Sequence, residues 1–231
     1  MKIGIVLAMQ EEIDSLLPFL DNKNEYKLFD LNFYEGTISG KTCVLVESGI
    51  GKVNAARATQ ILISNMNVDC VINIGVAGGV DSSLNVGDIV LGTKLVQHDF
   101  DLTAFNHTKG YINDYVKDFI PTDTYLNSLF LEANKDKESK IVEGIIASGD
   151  IFITEEAMSK KINTKFNAMA TEMEGASVAQ VCFLSNIPFI VVRSISDVVG
   201  KTSIMEYDEF LEKNCSIVSK LLVKMIEKIE N

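Results

Sequence analysis

The chain has 231 residues, 47% of them hydrophobic and 23% charged, with a formal net charge of −11. That length fits one α/β domain, which can reach ~250 residues, and suffices for a sizeable core. The acidity, with Arg57 and Arg193 as the only arginines, argues against a nucleic-acid partner, which a basic patch would mark, and against an anionic membrane surface.

Lys2–Leu7 is a near-continuous apolar run, the pattern of a strand buried on both faces. The opening MKIGIVLAMQEE is too short an apolar stretch, and ends too acidic, for a secretory signal. No run approaches the ~20 apolar residues of a membrane span, so the expectation is a soluble, cytoplasmic protein. Gln10–Leu20 has helical spacing of Ile13, Leu16, Leu17 and Leu20. Phe33–Ile38 and Cys43–Glu47 flank Ser39-Gly40-Lys41 and predict a hairpin. A helix over Val53–Ile63 and a buried strand over Val68–Ile74 follow, then a strand of mixed pattern at Gly87–Val96. Residues 99–121 have no period, and a loop that long inside a domain is usually functional or part of an interface. Thr122–Ala133 predicts a helix, Lys140–Ser148 a strand, Glu155–Ile162 a short helix and Met173–Leu184 a helix. Pro188–Ser194 predicts a buried strand and Tyr207–Ile229 a long amphipathic helix. Apolar strands alternate with helices, so the expected fold is α/β: a single domain over residues 1–231 with a mixed or mostly parallel central sheet flanked by helices on both faces.

The four cysteines, Cys43, Cys70, Cys182 and Cys215, match no zinc or redox spacing and read as small buried side chains. His98 and His107 lack ligating company, so neither a metal site nor a cofactor is expected. Ligands of open α/β sheets bind beyond the carboxyl ends of the strands. That rule selects Ala8–Glu12, Ser48–Lys52, Gly75–Gly79, Ser148–Asp150 and Ser194–Asp197. Singly, their features have ordinary structural uses. Glu11 and Glu12 open a helix and suit its dipole, Thr171-x-x-Glu174 has the form of a capping box, and Asp197 has the type of a helix cap. Together, Glu12, Glu174 and Asp197 can converge on one cleft with few cations, which suits a transition state bearing positive charge.

Ordered along the chain, MKIGIVLAMQEE, SGIGKVNAA (48–56), NIGVAGG (73–79), VGDIV (86–90), TAF (103–105), SGDIFI (148–153), TEMEGA (171–176), PFIVVRSISD (188–197) and DEF (208–210) resemble the 5′-methylthioadenosine/S-adenosylhomocysteine nucleosidases of the nucleoside phosphorylase superfamily. The resemblance implies a hydrolase that cuts the N-glycosidic bond of methylthioadenosine and adenosylhomocysteine, with 5′-deoxyadenosine as a further substrate, in methionine salvage. It implies Glu12 as the base that activates water and Asp197 as the acid that protonates adenine N7. Glu174 would hold the ribose hydroxyls beside the Met173 backbone, a use we favour over the capping box because the whole TEMEGA segment matches. Arg193 would help position water and orient the carboxylates. Phe152 would stack on adenine and the Ile153 backbone would bond its edge. Met9, Ile50 and Tyr207 would line the 5′ pocket, with Leu102 and Phe105 contributed by the partner subunit of a homodimer. Val76, Ala77, Gly78, Glu172 and Ser196 complete the implied substrate-binding set. Val76 stands where many relatives have Ser, and Tyr207 where Phe is common.

This chemistry sets expectations for charge. Asp197 must be protonated, as burial near other carboxylates would favour, while Glu12 must be ionised. A helix N-terminus would favour the charged form of Glu174. The alternatives are a phosphate-dependent phosphorylase, for which two arginines are few, a futalosine-type nucleosidase with the same catalytic residues, and a non-catalytic adenosine binder.

Overall fold

The computed structural model describes residues 1–198 and 204–230, the side chains of 204–214 excepted. The chain begins with β1 (Lys2–Leu7), α1 (Gln10–Leu16), a 3-10 turn at Leu17–Phe19, β2 (Asp21–Leu28), β3 (Leu31–Ile38) and β4 (Lys41–Glu47). It continues through α2 (Lys52–Met66), β5 (Cys70–Gly79), β6 (Ile89–Gln97), a 3-10 turn at Thr103–Phe105, β7 (Ile120–Pro121) and α3 (Thr124–Ala133). The last elements are β8 (Ile141–Ser148), α4 (Glu156–Phe166), β9 (Ala168–Glu172), α5 (Gly175–Leu184), β10 (Phe189–Val198) and α6 (Ile204–Lys228).

Local chemistry explains where these elements start and stop. Pro18 stands in the first turn of the 3-10 segment. Having no N–H, it cannot continue the i→i−4 ladder of α1, and although Leu17 keeps helical dihedrals the chain tightens into the 3-10 turn short of the expected Leu20. The hairpin forms at Ser39 and Gly40, which both take positive φ (49° and 76°), as a two-residue turn between twisted strands requires. Strand β2, absent from the expected elements, is almost wholly solvent-exposed and pairs with β3 at the sheet edge. Its sequence DNKNEYKL has no apolar alternation to reveal it.

The sheet is mixed, as expected for the α/β class. β1 lies between β4 and β5 in parallel register, and β3 and β2 extend that side antiparallel. On the other side β5 pairs with β9, β9 with β8, β8 with β6, β6 with β10, and β10 again with β5. Five strands thereby close into a ring. Successive side chains of a strand point to opposite faces, and the core divides accordingly. Ile3, Ile5 and Leu7 pack with Leu16, Phe130, Leu222 and Met225 of α1, α3 and α6. Val6, Val44 and Val46 pack with Ala55, Leu62, Val178 and Cys182 of α2 and α5. A smaller cluster of Val96, Ala147, Ile162 and Phe166 seats α4. All four cysteines are buried, and among the described residues none forms a disulfide. Among the described residues no helix is long and apolar enough to cross a membrane.

Candidate active site

Beyond the carboxyl ends of β1, β4, β5, β8, β9 and β10 lies a pocket of ≈ 600 Å³, counted out to its open mouth. Thirteen of the residues singled out from sequence line it: Met9, Glu12, Ile50, Val76, Ala77, Gly78, Phe152, Ile153, Glu172, Met173, Glu174, Ser196 and Asp197. Ala8, Ile151 and Thr171 also line it. Ala8 falls inside the selected Ala8–Glu12 segment, while Ile151 and Thr171 adjoin selected residues without having been given a site role. Among the described residues no lysine or arginine lines it.

Two strands reach the pocket by running past their expected ends. β5 continues to Gly79 and β10 to Val198. The register between them slips: Ile195 faces Ala77, yet Asp197 faces Gly78. One extra residue is accommodated there, and a bulge re-aims side chains. Ser196 and Asp197, which a regular pleat would send to opposite faces, both line the pocket. The Ser196 hydroxyl donates to Asp197 Oδ1 at 2.9 Å. Burial raises the pKa of Asp197, and this hydrogen bond opposes the rise. The direction is the expected one; its cause is burial rather than neighbouring carboxylates.

Glu12 is 3% exposed. Its Oε2 accepts from the Ala8 and Met9 N–H groups at 2.7 and 3.2 Å, and its Oε1 from Val76 N–H at 3.3 Å. The chain can approach this closely because residue 75 is glycine: a Cβ there would stand 2.5 Å from Oε1. Burial nonetheless raises the Glu12 pKa, against the Arg193 charge and the three N–H donors. The carboxylate is therefore held in place by donors while remaining a better proton acceptor than a solvated glutamate.

Glu172 and Glu174 divide the work differently from the expected pattern. No side chain from a Thr171–Glu174 capping box bonds the start of α5; among the described residues the Thr171 hydroxyl has no partner. Glu172 Oε2 instead accepts from the N–H groups of Glu174 (3.2 Å) and Gly175 (2.7 Å), and Ser148 Oγ accepts from Ala176 N–H at 2.7 Å. Ser148 also donates to Glu172 Oε1. Glu174 is left facing the pocket with one backbone donor, Gly51 N–H at 2.8 Å on Oε1. Its pKa is pushed up to about 7, first by burial and then by the Glu172 charge, with Arg193 and Gly51 opposing. This corrects the expectation that the helix terminus would hold Glu174 charged: Glu172 occupies that terminus, and its charge repels a second one.

Arg193 does not reach the pocket. It is 1% exposed and lies behind the wall, bonded to Glu172, to Asn73 Oδ1 at 2.6 Å, and to the carbonyls of Asn73 and Val192. An apolar strand cannot hold a guanidinium without such partners. It orients the Glu172 carboxylate, but a role in positioning pocket water is not supported by this placement. Leu102 and Phe105 do not line this chain's pocket, and Phe105 is 73% exposed. The side chain of Tyr207 lies outside the described residues. Among the described residues no group of three or more His, Cys, Asp or Glu is arranged to hold a metal.

The pocket thus combines apolar walls with three carboxyl groups whose proton affinity is raised. It can stabilise positive charge on a bound molecule, accept a proton and donate one. A model of the phosphorylase superfamily matches residues 2–227. The 5′-methylthioadenosine/S-adenosylhomocysteine nucleosidase of Anoxybacillus flavithermus is 39% identical over 99% of both chains. The enzyme of that description from Helicobacter pylori, solved with butyl-thio-DADMe-Immucillin-A, superposes with a TM-score of 0.94 at 38% identity, covering 99% of this chain and 98% of that one. A structure described as futalosine hydrolase of Helicobacter pylori gives the same values: 0.94, 38%, and 99% and 98% coverage.

Proposed function

The chain belongs to the 5′-methylthioadenosine/S-adenosylhomocysteine nucleosidases of the phosphorylase superfamily, which are N-glycosyl hydrolases, and from that membership we propose how its own residues carry the reaction. The observation that supports it is that Glu12, Glu174 and Asp197, from three separate parts of the chain, line one pocket. Asp197 delivers a proton to adenine N7 as the C1′–N9 bond breaks and its electron pair passes to the base. The ribose then carries oxocarbenium character, which Glu174 and the other anionic groups stabilise. Glu12 takes a proton from water as the water oxygen bonds C1′. The products are adenine and the 5-substituted ribose. Glu12 ends protonated and Asp197 ionised, and exchange with solvent restores both.

Phe152 stacks on the base beside the Ile153 backbone, and Met9 and Ile50 enclose the 5′ substituent. A phosphorylase reading is disfavoured, because Arg193 is committed to Glu172 and Arg57 to the Phe29 carbonyl. The futalosine reading remains a second one, because the relative so described is as similar as the thioadenosine enzyme from the same organism. The test is adenine release in phosphate-free buffer from methylthioadenosine, adenosylhomocysteine, adenosine and futalosine. We expect release from the first two and a kcat/KM for adenosine lower by roughly 5–150-fold, because a buried hydroxyl without a partner costs ~1–3 kcal/mol. No release without phosphate would overturn the hydrolase mechanism. Preference for futalosine would move the substrate assignment. Adenosine matching methylthioadenosine would point to the Tyr207 hydroxyl, and Tyr207→Phe should then restore the discrimination.

The proposal extends to assembly and setting: residues 1–231 act as one nucleosidase domain, cytoplasmic, in methionine salvage. Two copies pair so that Leu102 and Phe105 of each complete the other's pocket. Phe105 is exposed here, as are Ile50, Ile151 and Phe152 at the mouth, and covering such surfaces favours association. Sedimentation velocity should show a dimer; a fully active, concentration-independent monomer would remove the shared pocket.

A further inference from the structure

Lys52 ends the SGIGK run, and the reaction as proposed makes no use of it. Its Nζ lies 2.6 Å from Asp99 Oδ1, 3.1 Å from Gln97 Oε1 and 3.8 Å from Asp150 Oδ2. The ammonium donates to Asp99 and Gln97 and stands in ion-pair range of Asp150. The Lys52 and Asp99 side chains are 15% and 20% exposed, so solvent screens this pair less than a surface pair. The backbone closes the same knot: Lys52 N–H donates to Asp150 Oδ1 at 2.8 Å, and Asp150 N–H to Asp99 Oδ2 at 2.9 Å. Gln97 in turn donates to Gln180 of α5 at 2.7 Å. One ammonium therefore joins the start of α2, the end of β6, the turn after β8 and, through Gln97, α5.

The residues on either side of this knot reach the pocket. Gly51, next to Lys52, donates its N–H to Glu174. Gly51 has φ of 102°, and a Cβ there would meet Asp150 Oδ1 at 3.3 Å, so its backbone is pressed against the clasp. Ile151–Ile153 follow Asp150 directly and line the pocket. We propose that Lys52 is a positioning residue: through Asp99 and Asp150 it holds the Gly51 N–H on the Glu174 carboxylate and holds residues 151–153 at the base, without touching the substrate. This rests on the nucleosidase reading for its kinetic consequence but not for its structural one.

The consequence has a definite sign. Burial first, then Glu172 of β9 and Glu12 of α1, raise the proton affinity of Glu174; Arg193 of β10 and the Gly51 N–H lower it. Releasing Gly51 removes a lowering influence, so Glu174 should titrate at higher pH. If ionised Glu174 holds the ribose, the acid limb of kcat/KM moves up with it.

The experiment compares the parent with Lys52→Met, Lys52→Arg and Asp99→Asn. We expect Lys52→Met to lose roughly 10–100-fold in kcat/KM, the scale of a charged hydrogen bond removed, with most of the loss in KM. Lys52→Arg should recover part, and Asp99→Asn should move in the same direction by less. Carbon-13 NMR of the Glu174 carboxyl in the ligand-free protein, assigned with Glu174→Gln, should show its midpoint raised in Lys52→Met, or in Asp99→Asn should that variant alone fold. An unchanged midpoint and acid limb would overturn the proposal even if the melting temperature falls, since Lys52 would then only support the fold. A parent that releases no adenine would sink the nucleosidase reading, while the titration would still judge the clasp.

Discussion

Asp197→Asn should reduce adenine release by at least ~10²–10⁴-fold, the usual contribution of a general acid. The substitution keeps shape and keeps the acceptor for the Ser196 hydroxyl, which lies 2.9 Å from Oδ1, so the bulge in β10 should persist and the protein should fold. What disappears is the transferable proton: an amide can hydrogen-bond adenine N7 but cannot protonate it, and adenine is a poor leaving group as an anion. In the parent, burial raises the Asp197 pKa, which keeps the acid form populated to higher pH. The sign follows: activity should fall as pH rises through the Asp197 titration. This alkaline limb should vanish from the residual rate of the variant. Single-turnover adenine release measures both; activity within about tenfold of the parent would remove Asp197 from the role of acid.

Glu12→Gln should give a loss of similar size by the opposite route. Oε2 takes the two N–H groups of Ala8 and Met9, and Oε1 takes the longest bond, 3.3 Å from Val76. A glutamine can place its carbonyl oxygen at the first position and its NH2 toward Val76, giving up the weakest bond. The cost in stability is then about 1 kcal/mol, and ligand binding should stay close to that of the parent. Water, however, loses its base. Because burial raises the Glu12 pKa, the parent should lose activity as pH falls through that titration. Glu174, at about 7, contributes to the same acid limb, so the limb reports the set of groups rather than one of them. Calorimetric binding of a non-hydrolysable nucleoside, beside kcat, separates the roles: lost binding with proportionate loss of rate would make Glu12 a ligand-holding group only.

How much of this was legible in the sequence depends on whether the deciding interaction is local. β1, β4 and β5 declare themselves as apolar runs, and their Gly-rich ends mark where a ligand can approach. The β2 edge strand is invisible because a strand exposed on both faces needs no apolar pattern. The bulge at Ser196 is invisible because alternation assumes a regular pleat; it exists through the pairing of β10 with β5. In TEMEGA the local rule named Thr171 and Glu174 as caps. The cap is instead built by Glu172 with Ser148, from another strand, and by the charge of Arg193. The family resemblance alone directs Arg193 toward the pocket, whereas the apolar run of PFIVVRSISD around it argues for a buried guanidinium with a buried acid.

The closed ring of strands has a kinetic meaning. Residues 189–198 must return to pair with residues 71–79 and 89–91, far back along the chain, and contacts so distant in sequence form slowly. β10 closes the ring and carries Asp197, so the pocket lacks that carboxyl group until β10 docks. Before β10 docks, Glu12 lacks the Arg193 charge, Glu172 lacks its ion pair, and no acid stands opposite. Catalytic competence should therefore be among the last properties the folding chain acquires, arriving together with the burial of its longest-range contacts rather than accumulating element by element.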